Sequence, residues 1–178
     1  EKTKGIVLVH ALGFNGINDE LIKLAKDHDL LLIEDCCEAH GATYNGQKVG
    51  SLADMSCFSF YFGHHITTIE GGIISTNNEE IYQLARMFRS HGMTREASKE
   101  VQERFNSPDL NPLFTFAVAG YNMRSTELNA VLGIEQMKRI DFNIEARQNN
   151  LDIWLKHLDS SKYFVDFLVE GNSNFALP

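Results

Sequence analysis

Gly5-Ile-Val-Leu-Val-His10 and Leu30-Leu-Leu-Ile-Glu-Asp35 carry apolar residues in unbroken runs, without the polar alternation of a half-exposed strand. Short runs of this kind are the pattern of strands buried on both faces, as in parallel sheets. Between them Asn18 stands where a helix would be capped, with Asp19 and Glu20 in the first turn, favourable to the helix dipole. Leu21, Leu24, Ala25 and His28 then fall on one helical face. Strand, helix and strand in this form predict a parallel α/β unit.

The same pattern extends outward. Gly41, Asn45, Gly46 and Gly50 mark a turn-rich excursion, after which apolar strands are expected at residues 55–60 and 73–75. Asn77 or Asn78 is placed to cap a helix whose apolar stripe is Ile81, Leu84, Ala85 and Phe88. Residues 92–120 show weak periodicity, hold Pro108 and Pro112, and read as a long functional loop. Helical spacing returns from Ser125, through Leu128, Val131 and Leu132, and again at Leu151, Trp154, Leu155 and Leu158. The expected fold is an α/β three-layer sandwich with a mostly parallel sheet. Both ends, charged Glu1 to Gly5 and Gly171 to Pro178, read as cut from a longer protein.

The 178 residues suffice for one domain with a sizeable core, and 43% hydrophobic with 22% charged residues is ordinary globular composition. A net charge of −8 repels phosphate backbones, which argues against nucleic-acid binding. No segment has the run of about 18 apolar residues expected of a membrane span, so a cytoplasmic protein is expected. Cys36, Cys37 and Cys57 have neither disulfide-framework nor zinc-ligand spacing and read as small buried hydrophobes, with no metal site expected.

Two stretches can carry chemistry. Glu34-Asp35 ends a buried strand, the position at which open α/β sheets hold ligands. An aspartate there can hold a cationic ring nitrogen or a metal, or simply cap the next turn. The second stretch is Ser59-Phe-Tyr-Phe-Gly-His-His-Ile-Thr-Thr-Ile-Glu-Gly-Gly72, a polar loop between apolar strands. Its paired histidines identify no reaction by themselves.

Taken in order, the motifs are similar to those of a known family. They are Glu34-Asp35-x-x-x-Ala39-His40-Gly41-Ala42, Gly50-Ser51-x-Ala53-Asp54, and Ser59-Phe60-x-x-x-His64-x-x-Thr67-x-x-Glu70-Gly71-Gly72. Arg89-Ser90-His91-Gly92 and Gly120-Tyr-Asn-Met-Arg-Ser-Thr-Glu-Leu-Asn-Ala130 follow. Over nearly its whole length the chain resembles the DegT/DnrJ/EryC1/StrS family of pyridoxal-phosphate enzymes, which have the fold-type I architecture. The resemblance implies that Asp35 bonds the cofactor's pyridine nitrogen, Ser59 its phosphate, and Asn122 the phosphate of the neighbouring subunit in a homodimer. It assigns Glu38 to the cofactor's ring-oxygen side. It also implies that residues 1–160 are a partial cofactor-binding domain and 161–178 the start of a truncated second domain. The loop at 92–120, with Phe114 and Phe116, is expected to lie against a neighbouring subunit near its His64.

Position 64 departs from the family's aminotransferases. They carry the Schiff-base lysine six residues before Glu-Gly-Gly, where this chain has His64. Imidazole cannot form that covalent link, whereas histidine, with an ordinary pKa near ~6.5, suits proton abstraction. No lysine occurs between Lys48 and Lys99 to take the role. The substitution resembles the family's 3-dehydratase branch. That branch uses pyridoxal and pyridoxamine phosphate to remove the C3 hydroxyl from a 4-keto-6-deoxy nucleotide sugar, with L-glutamate restoring the amine. His64 is then the expected catalytic base. The alternative is an inactive piece of a sugar aminotransferase-like protein that acts only by association.

Overall fold

The computed structural model describes residues 2–177. Glu1 and Pro178, the outermost residues of the two ends read as cut, lie outside the described residues. The elements run β1 (Gly5–Val9), α1 (Asp19–Asp27), β2 (Leu31–Asp35), β3 (Thr43–Tyr44), β4 (Gln47–Lys48), β5 (Met55–Ser59), β6 (Gly72–Thr76), α2 (Glu79–Arg89), α3 (Lys99–Arg104), α4 (Glu127–Met137) and α5 (Ile140–His157). They form two compact units, Glu1–Ser75 with Glu127–Pro178, and Thr76–Thr126.

The first unit holds a four-stranded sheet in the order β1-β2-β5-β6. β1 with β2 and β2 with β5 are parallel, and the register sets Val9 beside Asp35 and Asp35 beside Cys57. Asn18 caps α1 by accepting the Leu21 N–H at 2.8 Å. The helix lays Leu21, Ile22 and Ala25 on Ile6, Leu8 and Leu32, which form one core with Ile17. Burying a side chain such as Leu32 contributes about 1.5–3 kcal/mol. On the opposite face Val7 and Val9 are 64% and 53% exposed. The expectation of burial on both faces therefore holds for only one face within this chain. Ile6 and Leu8 point inward and Val7 and Val9 outward, and aliphatic residues on both sides leave no period to reveal it.

The turn-rich excursion contains a hairpin. β3 and β4 pair antiparallel through Asn45 and Gly46, both at positive φ (49° and 76°), the backbone of a tight two-residue turn. A second core, of Cys36, Ala39, Ala42 and Val49, packs against Phe58.

In the second unit Asn78 caps α2, accepting from the N–H groups of Glu80 and Ile81. Its buried residues are Gln83 and Met87, whereas Phe88 of the expected stripe is exposed. Gln83 is tolerated there because its amide oxygen accepts the Ser98 N–H at 2.7 Å. The expected loop at 92–120 contains α3, capped by Ser98, and short 3₁₀ turns at Thr94–Glu96 and Pro112–Phe114. α3 has no buried residue, so no apolar period announced it.

α4 and α5 return to the first unit, where Leu151 is fully buried. Leu128, Val131 and Leu132 are exposed, contrary to a core-facing reading of α4. Among the described residues no helix is long and apolar enough to cross a membrane.

Candidate active site

Asp35 and Ser59 are the last residues of the neighbouring strands β2 and β5. The register pairs Asp35 with Cys57, and Ser59 lies two residues beyond, so all three share one face at the carboxyl edge. Glu34 and Ser56 face the other way and are fully buried.

The two adjacent carboxylates thus have different environments. Glu34 accepts from His10 Nε2 at 3.1 Å and from the Leu52 N–H at 3.1 Å. His10 Nδ1 accepts the Gly16 N–H, which leaves Nε2 as the protonated nitrogen. Burial alone would raise the Glu34 carboxyl, but the bonds from His10 and the Gly50 and Leu52 backbone outweigh it and hold the pKa low. Glu34 is a satisfied core carboxylate. His10, its partner, carried no signal in the sequence because the contact spans 24 residues.

Asp35 is half-buried, and its Oδ1 accepts the Cys37 N–H at 3.1 Å. Burial pushes its carboxyl up, yet hydrogen bonding by Cys37 and Cys57 prevails and keeps it below the ordinary range. It is therefore an anion at neutral pH, suited to a cationic partner. Cys36 is buried, but Cys37 and Cys57 are only half-buried and lie beside Asp35. The three cysteines are thus not alike.

Glu38 follows in the turn after β2, and its Oε2 accepts the Leu12 N–H at 2.7 Å. Leu12 has φ of 55°, and Gly13 behind it has φ of 87°, with the Ser173 carbonyl where a Cβ would stand. That crossing requires glycine. Ser59 Oγ accepts the Tyr61 N–H at 3.2 Å and keeps its own proton to donate.

His64 lies five residues past Ser59, in a turn closed by its N–H on the Tyr61 carbonyl at 3.1 Å. Its ring is bounded by Phe175 at 5.3 Å, Tyr61 at 5.8 Å and His40 at 6.1 Å. Its Nδ1 is buried with no hydrogen-bond partner among the described residues. Behind it, burial holds both His40 and His65 down to a pKa of about 4, so both are neutral at pH 7. His65 Nε2 and Ser173 are hydrogen-bonded, and Asn172, Ser173 and Asn174 are buried. Neither His65 nor this C-terminal stretch was a candidate from sequence.

Asn122 belongs to the second unit, where an antiparallel bridge joins it to Ser90 and its side chain is exposed. The first unit therefore brings Asp35, Glu38, Ser59 and His64 into the strand ends and the loops that follow them, without Asn122.

A parallel-stranded α/β protein with an anionic aspartate and a hydroxyl at the carboxyl edge, and a histidine in the next loop, is the class that fold and site define. Residues 1–176 match the DegT/DnrJ/EryC1/StrS aminotransferase family, and the chain belongs to it. It is 38% identical to GDP-4-keto-6-deoxy-D-mannose 3-dehydratase of Yersinia pseudotuberculosis over 98% of this chain and 45% of that protein. It is also 38% identical to GDP-perosamine synthase of Caulobacter vibrioides, over 83% of this chain and 36% of that protein. Among solved structures, E. coli GDP-4-keto-6-deoxy-D-mannose-3-dehydratase with bound hydrated PLP aligns with a TM-score of 0.78 at 35% identity, covering 98% of this chain and 45% of that one. The chain spans less than half the length of these relatives.

Proposed function

We propose that this chain is part of an enzyme that removes the C3 hydroxyl of a 4-keto-6-deoxy nucleotide sugar with pyridoxal and pyridoxamine phosphate, His64 acting as the base. The observation that carries this reading is His64 itself, with a buried Nδ1 that has no hydrogen-bond partner among the described residues. The similarity to the Yersinia 3-dehydratase supports it, and the similarity to the perosamine synthase marks the runner-up, a sugar aminotransferase. The absence of lysine between Lys48 and Lys99 counts against that runner-up.

The residues present fit the cofactor. Asp35, kept anionic by its hydrogen bonds, would hold a protonated ring nitrogen. Ser59 has a hydroxyl proton free for a phosphate oxygen, and Glu38 would flank the ring oxygen. Asn122 of a second copy would reach the phosphate, which makes the working form a homodimer. When bound, the protonated ring supplies an electron sink for carbanion chemistry. His64 takes up the proton that this chemistry releases, and L-glutamate is the amine donor for the next turnover. His40 and His65, both neutral, add no positive charge beside that imidazole.

The test uses the full-length protein with GDP-4-keto-6-deoxy-D-mannose. Borohydride should leave no cofactor attached to the chain, since position 64 has no amine. His64→Asn should keep cofactor binding and lose about 10²–10⁴-fold in dehydration rate. Cofactor fixed to a lysine, or full activity in His64→Asn, overturns the reading.

A further inference from the structure

Among the described residues, two clusters of metal-ligating side chains lie at the ends of β1, β2 and β5, and their surroundings separate them. His10, Glu34 and Cys36 are fully buried, and both His10 nitrogens and both Glu34 oxygens already have hydrogen-bond partners. A cation there would break a fully buried network, whereas at Asp35 it would replace the hydrogen bonds that the Cys37 and Cys57 side chains make to the carboxylate. Asp35, Cys37 and Cys57 are half-buried, and one Asp35 oxygen and the two sulfurs lie within 4.8 Å of one another. We propose that Asp35, Cys37 and Cys57 bind a borderline-soft divalent cation of the zinc class.

The dimensions and chemistry suit that ion. Zinc bonds thiolate sulfur at about 2.3 Å and carboxylate oxygen at about 2.0–2.2 Å, so the edges of a tetrahedral site measure about 3.5–3.8 Å. The three ligand atoms, all within 4.8 Å of one another, are already close to that size. Two sulfurs with one oxygen favour zinc over magnesium or calcium, which prefer all-oxygen shells. The Cys37 N–H already holds Asp35 Oδ1, and the Cys36 N–H on the Cys57 carbonyl at 2.9 Å ties the two strand ends together. Such supporting bonds orient metal ligands. Burial and then the Asp35 carboxylate push both thiols up, Cys37 to about 12, so the cation must displace two thiol protons to solvent, and three protein ligands leave the fourth position to water. Asp35 is also the residue proposed for the cofactor's ring nitrogen, so the cation's site is available in the cofactor-free protein.

The test uses reduced, metal-free, cofactor-free protein and cobalt(II) as the probe. One equivalent should produce a thiolate-to-cobalt charge-transfer band, displaced by zinc. Cys37→Ser and Cys57→Ser should each weaken zinc binding at least tenfold, and the double variant should lose the band. Zinc should also protect Cys37 and Cys57 of the unmodified protein from alkylation, a readout that needs no variant to fold. No band and no protection, or a band lost in Cys36→Ala but kept in the double variant, overturns the proposal. Neither readout requires the cofactor, so failure here leaves the reading of His64 standing.

Discussion

Glu34 and Asp35 are neighbours in sequence with opposite fates, because a strand turns successive side chains to opposite faces. Glu34 enters the core and is fixed by His10 and Leu52, while Asp35 faces the carboxyl edge where a ligand can reach it. Glu34→Ala should strand a buried imidazole N–H and the Leu52 N–H, at a cost of about 2–4 kcal/mol. Urea denaturation measures this, and unchanged stability would remove Glu34 from the core network. The ends of β2 and β5 were legible from the apolar runs, so the positions of Asp35 and Ser59 could be anticipated. What the chain brings to them was not. The nearness of Cys37 and Cys57 to Asp35 depends on the register of two strands 22 residues apart (Ile33 beside Met55), and local sequence holds no record of register.

At the scale of elements, signals were readable where one residue type does one physical job. Asn18 and Asn78 cap α1 and α2 as their positions implied, because a short amide accepts the free N–H groups of a first helical turn. Asn78→Ala should lower stability by about 1 kcal/mol, seen as a shifted urea midpoint with an unchanged slope. Signals failed where the apolar pattern had no preferred side. α2 buries Gln83 and Met87 in place of its expected stripe, and the buried glutamine depends on the Ser98 N–H, a partner 15 residues away. Ser98 also caps α3, whose six residues are too few to display a period. The exposed face of β1 follows the same logic, since Val7 and Ile6 are equally apolar and only the packing of α1 separates them.

For the molecule as a whole, the buried histidines make stability depend on pH in a window above that of the carboxylates. His40 and His65 are pushed from 6.5 down to about 4, first by burial and then by neighbouring charge from the other histidines and Arg147. Below pH 6.5 the unfolded chain binds a proton at each ring while the folded chain does not, so the unfolded state gains. Stability therefore rises with pH across the interval from about 4 to 6.5 and levels off above it. Each histidine contributes a slope of up to about 1.4 kcal/mol per pH unit in that interval. Glu34 and Asp35 have lowered values and act with the same sign further down, losing their contribution as pH falls below 4.5 and 3.8. Urea denaturation at pH 7, 5.5 and 4.5 should show the decline, steepest between the last two. His40→Leu removes its titration and, of polar contacts, gives up only a weak one to the Ser59 backbone. That variant should lose about half of the slope between pH 5.5 and 4.5. Stability that stays level from pH 7 to 4.5 would show that both rings are charged in the folded protein, and a slope unchanged in His40→Leu would show that His40 is.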